Sequence, residues 1–479
     1  MNDEPFLRNH WSVVVSNTLT TVVAMAFGIL VFATSGGFQQ GEVYLGIFAA
    51  MFAVALVVNV IIWKKTKFYF LKDEIVVEKT TIFRSETRIQ YDRLASVNVE
   101  RDVICRLLGA TKLSFNLNSS VNVGSAEAYI VLKADEAEKL RKEMDSRIFD
   151  APSVAEDEIE PVEEAVSLVD VSVLDIFLHS FFSMPTTQFA FGILMLVYSV
   201  YSFVYGSSIS LVSTILFVVE FFLPAVSSFF KLYGYRITRS GDAVSVSSGF
   251  FSTRKDSFLL SKVNFVKVRE PLICRLMGRV VLEVEVVGTA NSKGAPLLCP
   301  LKSKKVALPL LHELLPEFEC TGKEMGQPRV SLVGIAMAVA VVLAATFAML
   351  FVLSGYVPSE YHVYLNMAAV VVAVLCALWA PMAYRTRRFA CDGNIVLLVT
   401  GAFDRVFNYI LIDKIQFADV KSTPIQRRMG AARCDLNLLS TVGASTVTSG
   451  VFPAEELEEI SSTVMARIRD GRYDFRRFQ

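Results

Sequence analysis

Three arginine-containing turns carry the clearest binding chemistry in this 479-residue sequence. They read LASVNVERDVICRLLG at Leu94–Gly109, VNFVKVREPLICRLMG at Val263–Gly278 and IQFADVKSTPIQRRMG at Ile415–Gly430. The three segments align without gaps over sixteen residues, and each closes on Arg-x-x-Gly. The candidate ligand- or partner-binding residues are therefore Arg106, Gly109, Arg275, Gly278, Arg427 and Gly430.

Two interpretations of these turns are open. The arginines can bind an anionic ligand, such as a lipid headgroup or an acidic peptide, through charge-assisted hydrogen bonds. Alternatively, the turn is structural: its glycine supplies a positive φ, and its arginine packs the stem and pairs with a local acid. The third copy has Gln426 where the others have Cys105 and Cys274, and Arg428 in place of leucine. We therefore do not expect one ligand common to all three turns.

Glu220 is the second candidate, because it is the only acid well inside a predicted membrane span. A carboxylate at that depth is costly, so such residues face a bundle interior or a water-filled cavity. One interpretation is proton or cation handling. The other is a protonated or hydrogen-bonded side chain that stabilises the helix bundle. The candidate partners lie on the adjacent helix: Tyr198, Tyr201, Ser199 and Ser202.

Residues for catalysis or metal binding do not occur in a recognisable pattern. The seven cysteines form no CxxC pair, and the four histidines show no metal-ligand spacing. The sequence contains no P-loop, HExxH or GxSxG motif. We expect a protein that is not an enzyme, without a catalytic residue, a metal or a cofactor.

The elements that position these residues start with the membrane. Hydrophobic residues make up 53% of the chain and charged residues 20%, and the mean hydropathy is +0.47. A span needs about 20 apolar residues, and six stretches qualify, joined in pairs by short polar connections. The predicted spans are Val13–Thr34, Val43–Trp63, Phe189–Tyr205, Ile209–Phe230, Val330–Leu353 and Val363–Tyr384.

The distribution of basic residues predicts the orientation of the three hairpins. Residues 11–63, 171–230 and 330–384 contain no lysine or arginine, whereas basic residues follow each hairpin directly. The positive-inside rule then places both termini and all soluble segments in the cytoplasm, at the cell membrane. The net charge of zero gives no indication of a nucleic-acid partner.

Each hairpin is followed by a soluble unit with strand patterns first and a helix pattern last. About 85 residues of antiparallel strands with one final helix predict an α+β domain, a β-roll or barrel capped by that helix. The predicted divisions are hairpins at 11–63, 171–230 and 330–384, soluble domains at 64–150, 231–322 and 385–470, and an acidic linker at 151–170. That linker is either flexible and solvated or a docking segment for a basic partner.

Two membrane helices followed by a strand-rich domain with this arginine turn resemble the bacterial pleckstrin-homology-like (PH-like) membrane proteins. Three tandem copies are similar to the YdbT-like branch of that family. The resemblance implies a PH-like fold in each unit, a seven-stranded roll closed by a C-terminal helix. It also implies a protein partner, a smaller single-domain PH-like membrane protein.

These features favour a membrane-anchored scaffold whose three PH-like domains bind proteins, peptides or lipid headgroups. Domains held close to the membrane meet their partners at high effective concentration. The alternative is a transporter or ion-handling protein that uses Glu220. A lipid-modifying enzyme is the third possibility, and the lack of catalytic groups argues against it.

Overall fold

The computed structural model describes residues 6–22, 41–80, 84–91, 94–117, 128–149, 166–205, 210–241, 243–286, 297–356, 358–359, 362–440 and 443–471. Its helices are α1 (Ser12–Val22), α2 (Gly41–Lys65), α3 (Val103–Leu107), α4 (Ala134–Phe149), α5 (Val173–Phe182), α6 (Thr186–Val204), α7 (Ser210–Phe217), α8 (Leu223–Leu232), α9 (Leu272–Leu276), α10 (Lys304–Leu314), α11 (Ser331–Ser354), α12 (His362–Thr386), α13 (Pro424–Arg428) and α14 (Ala454–Arg469).

The strands fall into three consecutive groups, which we call the first, second and third repeats. The first repeat contains β1 (Phe6–Leu7), β2 (Thr66–Phe70), β3 (Glu74–Thr80), β4 (Arg84–Gln90), β5 (Leu94–Arg101), β6 (Ala110–Leu117) and β7 (Ala128–Lys133). The second contains β8 (Val166–Ser167), β9 (Arg236–Ser240), β10 (Ala243–Ser248), β11 (Thr253–Leu259), β12 (Val263–Glu270), β13 (Arg279–Val286) and β14 (Leu297–Ser303). The third contains β15 (Met325–Gly326), β16 (Arg388–Cys391), β17 (Ile395–Thr400), β18 (Arg405–Leu411), β19 (Ile415–Lys421), β20 (Ala431–Ser440), β21 (Gly443–Thr448) and β22 (Phe452–Pro453).

Four helices within the described residues are long and apolar enough to cross a membrane: Thr186–Val204, Thr214–Leu232, Ser331–Ser354 and Leu365–Thr386. They coincide with the four predicted spans of the second and third hairpins. In the first hairpin, α2 is a 25-residue apolar helix that contains the predicted span Val43–Trp63. Most of the other predicted span lies outside the described residues, so the total of six spans stays a prediction.

Each membrane hairpin is inserted between the first and second strands of its repeat. The short strands β1, β8 and β15 precede the hairpins and pair antiparallel with β2, β9 and β16, which follow them. The acidic segment 151–170 therefore ends in a strand, since Val166 and Ser167 pair with Arg239 and Thr238. Residues 151–165 lie outside the described part of the chain.

A ten-residue helix, α5, precedes the second hairpin within the region 171–230. Ser172 caps it: the Ser172 Oγ accepts a hydrogen bond from the Asp175 amide, and the Asp175 carboxylate accepts one from the Ser172 amide. Asp175 also forms ion pairs with Arg279 (2.8 Å) and Lys302 (2.6 Å). These contacts fix α5 on the second sheet of the second repeat, and the membrane-spanning helix that follows begins at Thr186.

Within each repeat, two sheets pack face to face and the last helix closes the sandwich. In the first repeat, the buried side chains of α4 recur at helical spacing, at Ala137, Leu140 and Met144. They share one core with side chains from both sheets, among them Phe68, Ile75, Ile89, Leu113, Phe115 and Ile130. The cores of the second and third repeats are built in the same way.

The sheets do not end at the repeat boundaries. β5 of the first repeat pairs antiparallel with β11 of the second, and β12 of the second pairs with β18 of the third. Each pairing joins two sheets into one seven-stranded sheet, β7-β6-β5-β11-β10-β9-β8 and β14-β13-β12-β18-β17-β16-β15. The three repeats are therefore joined as one array rather than strung on flexible linkers.

Candidate functional site

The arginine turns have the same backbone structure in all three repeats. Each is a five-residue helix, α3, α9 or α13, and the motif glycine follows two residues after the helix ends. Gly109, Gly278 and Gly430 have φ values of 64°, 65° and 64°, which L side chains adopt only at a cost. The predicted positive φ is confirmed. The carbonyl oxygen of each glycine also accepts a hydrogen bond from the first residue of the repeat's last helix.

Each turn lies beside the beginning of its own repeat's hairpin region. In the first repeat, Cys105 packs in a cluster with Val13 of α1. In the second, the Cys274 Sγ donates to the Phe182 carbonyl (3.0 Å) and the Leu272 amide donates to the Thr186 Oγ1 (3.2 Å). In the third, α13 and the start of α11 line one groove of about 750 Å³. The turns therefore lie at the membrane-proximal edge of the repeats.

The three arginines have different surroundings. The Arg106 Nη1 donates to the Phe250 carbonyl of the second repeat (3.0 Å). Arg275 lies near Arg405 of the third repeat; burial, and then the Arg275 charge, lower the pKa of Arg405. Among the described residues, no acid pairs with Arg427. The structure thus leaves the predicted site residues in three separate places.

A basic cleft of about 930 Å³ lies where the first and second repeats meet, and Arg106 is part of its wall. Its charged lining consists of six basic residues and one acid: Arg101, Arg106, Arg141, Arg236, Arg254, Lys255 and Glu138. Of the predicted site residues, this cleft contains only Arg106. Sequence reasoning missed the others, because they come from two repeats and share no motif.

Much of the positive charge in this cleft is not neutralised by neighbours. Arg254 pairs with Asp256 (2.5 Å), and Arg141 lies 3.7 Å from Glu138. Arg236 and Lys255 have no acidic partner in the described part of the chain. The buried Nη2 atom of Arg254 also has no hydrogen-bond partner among the described residues. A buried donor without a partner is unfavourable.

An aromatic cluster places the cleft at the end of a membrane span. Phe230 and Tyr233 stand at the end of α8, and Phe250 and Phe251 of the β10–β11 turn pack against them, with ring centroids 4.7 to 5.7 Å apart. Tyr233, Phe250 and Phe251 line the cleft as well. The cleft therefore begins directly beyond Leu232, the last residue of the apolar helix Thr214–Leu232.

Gly249 shapes the turn that carries these two phenylalanines. Its φ is 120°, and a Cβ atom there would lie 1.8 Å from the Ser252 carbonyl oxygen. The Ser252 Oγ in turn donates to Asp102, just before the first arginine turn (3.0 Å). Gly401 has the matching position and the same constraint in the third repeat. The recurrence of this glycine in two repeats is the sequence signal that marks the wall of the cleft contributed by the second repeat.

Glu220 lies in a π-helical turn, Val218–Phe222, that joins α7 to α8. Its backbone oxygen accepts a hydrogen bond from the Gln188 Nε2 of the adjacent helix (2.7 Å). Among the described residues, none hydrogen-bonds to the Glu220 carboxylate, and neither Tyr198 nor Tyr201 is its partner.

Thiol chemistry has little support in the described residues. Burial raises the pKa of Cys274 to about 11, and it raises those of Cys299 and Cys434 to about 12. Such thiols stay protonated at neutral pH and are poor nucleophiles. No group of three or more potential metal ligands occurs in the part of the chain that the structure describes.

Comparison with known proteins agrees with this architecture. The family model described as the bacterial PH domain matches residues 19–148, 180–317 and 330–468. The protein described as "UPF0699 transmembrane protein YdbT", from Bacillus subtilis strain 168, is 18% identical over 418 residues, which are 81% of this chain and 82% of that protein. No solved structure matches the chain significantly. The family model covers well over half of the chain, and the chain therefore belongs to the bacterial PH domain family.

Proposed function

We propose that this membrane protein is a non-enzymatic scaffold whose PH-like domains hold anionic lipid headgroups and protein partners at the inner surface of the cell membrane. The observation that carries the proposal is the basic cleft between the first and second repeats. Six basic residues and one acid surround about 930 Å³ at the end of a membrane span.

Charge, depth and shape favour a lipid headgroup as the ligand. Basic residues near an anionic membrane surface each contribute about 1 kcal/mol of attraction. The aromatic cluster at Phe230 and Phe250 continues from the span into the cleft wall. A headgroup could therefore enter the cleft while its acyl chains stay in the bilayer. Arg236 and Lys255 are the residues that we expect to contact its phosphate.

The orientation rests on the distribution of basic residues. The hairpin regions 11–63, 171–230 and 330–384 contain no lysine or arginine, so all 47 of these residues lie outside them. With the repeats in the cytoplasm, the cleft meets the leaflet that is rich in anionic lipid.

A protein partner is the second part of the proposal. The groove of about 750 Å³ beside the third arginine turn is lined by apolar Val333, Met337 and Ile425 and by polar Gln426 and Arg433. Such a mixture suits a protein or peptide surface. A smaller single-domain PH-like membrane protein is the candidate, and it should co-purify with the full chain from membranes in mild detergent.

Native mass spectrometry of the full chain in detergent tests the lipid proposal. Purified protein is titrated with phosphatidylglycerol and with phosphatidylcholine. We expect preference for phosphatidylglycerol in the wild type and at least about a tenfold loss in Arg236→Gln/Lys255→Gln. The matched control is Lys64→Gln/Lys65→Gln, which removes two exposed charges after the first hairpin. Equal binding of both lipids, or an equal loss in the control variant, would contradict the proposal.

Ion handling at Glu220 is the alternative, and the π-helical turn favours it, because such turns are frequent at functional sites. Reconstituted vesicles with an internal pH indicator distinguish the two functions. Proton flux that is present in the wild type and abolished in Glu220→Gln would support ion handling. A scaffold shows no flux in either protein.

A further inference from the structure

The array of repeats has one open strand edge at each end, β19 and β4. Each of these strands is equivalent to a strand that, inside the array, pairs with a strand of the neighbouring repeat. β5 and β12 are each covered by a strand of the next repeat. β19 has the same position in the third repeat, and within the described residues it pairs only with β20. At the other end, β4 has the position of β11 and β18, and it pairs there only with β3.

Both internal junctions use the same register. Glu100 pairs with Arg254 in the first junction, and Arg269 pairs with Val406 in the second. The two pairs are equivalent. Glu100 matches Arg269 when the arginine turns are aligned, and Arg254 matches Val406 when the strands before those turns are aligned. The corresponding residues at the open edges are Lys421 of β19 and Ser85 of β4.

Two equivalent phenylalanines show that the open β19 edge lacks a covering strand. Phe265 of β12 is 0% exposed, because it is packed into the core of the following repeat with Phe389 and Ile410. Phe417 has the matching position in β19 and is 54% exposed. A large aromatic side chain at a sheet edge favours association over solvation.

We infer that β19 of one chain pairs antiparallel with β4 of a second copy, in the register of the internal junctions. Ser85 of one copy then lies opposite Lys421 of the other, and Phe417 lies beside Ile89. β4 is polar, but a polar strand can form such a junction, since β11 pairs with β5 through Thr253, Arg254 and Lys255. The contact is head to tail, so copies form a ring or an open row in the membrane.

This inference goes beyond the proposed function and needs no ligand. Two differently tagged full-length chains, one with Ser85→Cys and one with Lys421→Cys, are co-expressed, and their isolated membranes are oxidised. We expect a disulfide-linked dimer that carries both tags, at least fivefold above the level with Ser85→Cys and Val420→Cys. Val420 is the matched control, because neighbouring residues of a strand point to opposite faces.

Two further variants keep the test decisive. Arg269→Cys/Val406→Cys in one chain should close a disulfide across the second junction and shows that the array is folded and the oxidation works. Phe417→Lys should lower the mixed-tag dimer at least fivefold, whereas Met465→Lys, on the exposed face of α14, should leave it unchanged. If the internal pair closes and the mixed-tag dimer does not exceed the Val420 control, the inference is wrong. Cross-linking of Lys421→Cys to a different protein alone would overturn it as well.

Discussion

The Arg106 guanidinium donates a hydrogen bond to the Phe250 carbonyl oxygen, 3.0 Å away and 144 residues along the chain. This contact joins the first arginine turn to the aromatic turn of the second repeat, and the basic cleft lies between them. The arginine thus combines the two interpretations of its motif, because it stabilises a junction and lines a possible anion site.

Arg106→Ala should loosen this junction. The loss of one hydrogen bond from a charged donor is expected to cost about 1.5 kcal/mol. Hydrogen exchange of the amides at 249–255 should become faster as a result. Arg427→Ala is the control, because within the described residues no other repeat contacts the third turn in the way that Phe250 contacts Arg106. If both variants leave exchange at 249–255 unchanged, Arg106 does not stabilise the junction.

The two kinds of turn glycine should respond differently to alanine. At Gly109 a Cβ atom meets open space, so Gly109→Ala should cost only the left-handed backbone penalty, about 1–2 kcal/mol. At Gly249 the Cβ atom would lie 1.8 Å from the Ser252 oxygen, so the turn must rearrange. We expect Gly249→Ala to lower thermal stability more and to weaken phosphatidylglycerol binding. Equal effects on melting temperature in detergent would contradict this.

Asp175 should be essential for the docking of α5. Burial by itself raises its pKa, but hydrogen bonds from Lys302, Arg279 and Ser172 outweigh that effect and hold the pKa well below its usual value. Asp175→Asn leaves two cations without their acid and should cost about 3 kcal/mol. The comparison is the ion pair between Glu78 and Arg84, whose side chain is 70% exposed, and Glu78→Gln should cost less than about 1 kcal/mol. Chemical denaturation in detergent gives both values.

His179 should make stability depend on pH. Burial, and then the Arg269 charge, lower the pKa of His179 to about 4, and its Nδ1 accepts a hydrogen bond from the Leu301 amide. Between pH 6.5 and about 4, the unfolded state binds a proton that the folded state does not, so stability falls as the pH falls, by up to about 3 kcal/mol.

His179→Asn tests this pH dependence. Asparagine can still accept from the Leu301 amide but does not titrate, so the fall in melting temperature between pH 6.5 and 4.5 should become smaller. A residual fall is expected from His10, since burial and Lys133 lower its pKa too. An unchanged pH profile would show that His179 is not the responsible group.

Local patterns predicted much of this structure. The predicted order of each soluble unit, strands first and one helix last, is found in the repeats, as where α4 follows β7, because period-2 and period-3.6 hydrophobicity report which face is buried. The glycine of the arginine turn was predictable for a similar reason, since a positive φ depends on a local clash.

What could not be predicted depends on contacts between repeats. The pairing of β5 with β11 joins residues about 150 positions apart and leaves no periodic signature in either strand. The basic cleft follows from that pairing, so Arg236 and Lys255 had no reason to be selected from the sequence. The strand β8 was missed because two residues are too short for a pattern.

The most direct test of the central claim uses an anionic lipid with a photoreactive headgroup. Membranes that contain the full-length protein and this lipid are illuminated, and the cross-linked residues are mapped by mass spectrometry. We expect the cross-links to concentrate on the cleft walls, at 99–107 and 233–255, and to fall several-fold in Arg236→Gln/Lys255→Gln. Cross-links spread evenly over the ends of all three hairpins, and unchanged in that variant, would show that the basic cleft is not a headgroup site.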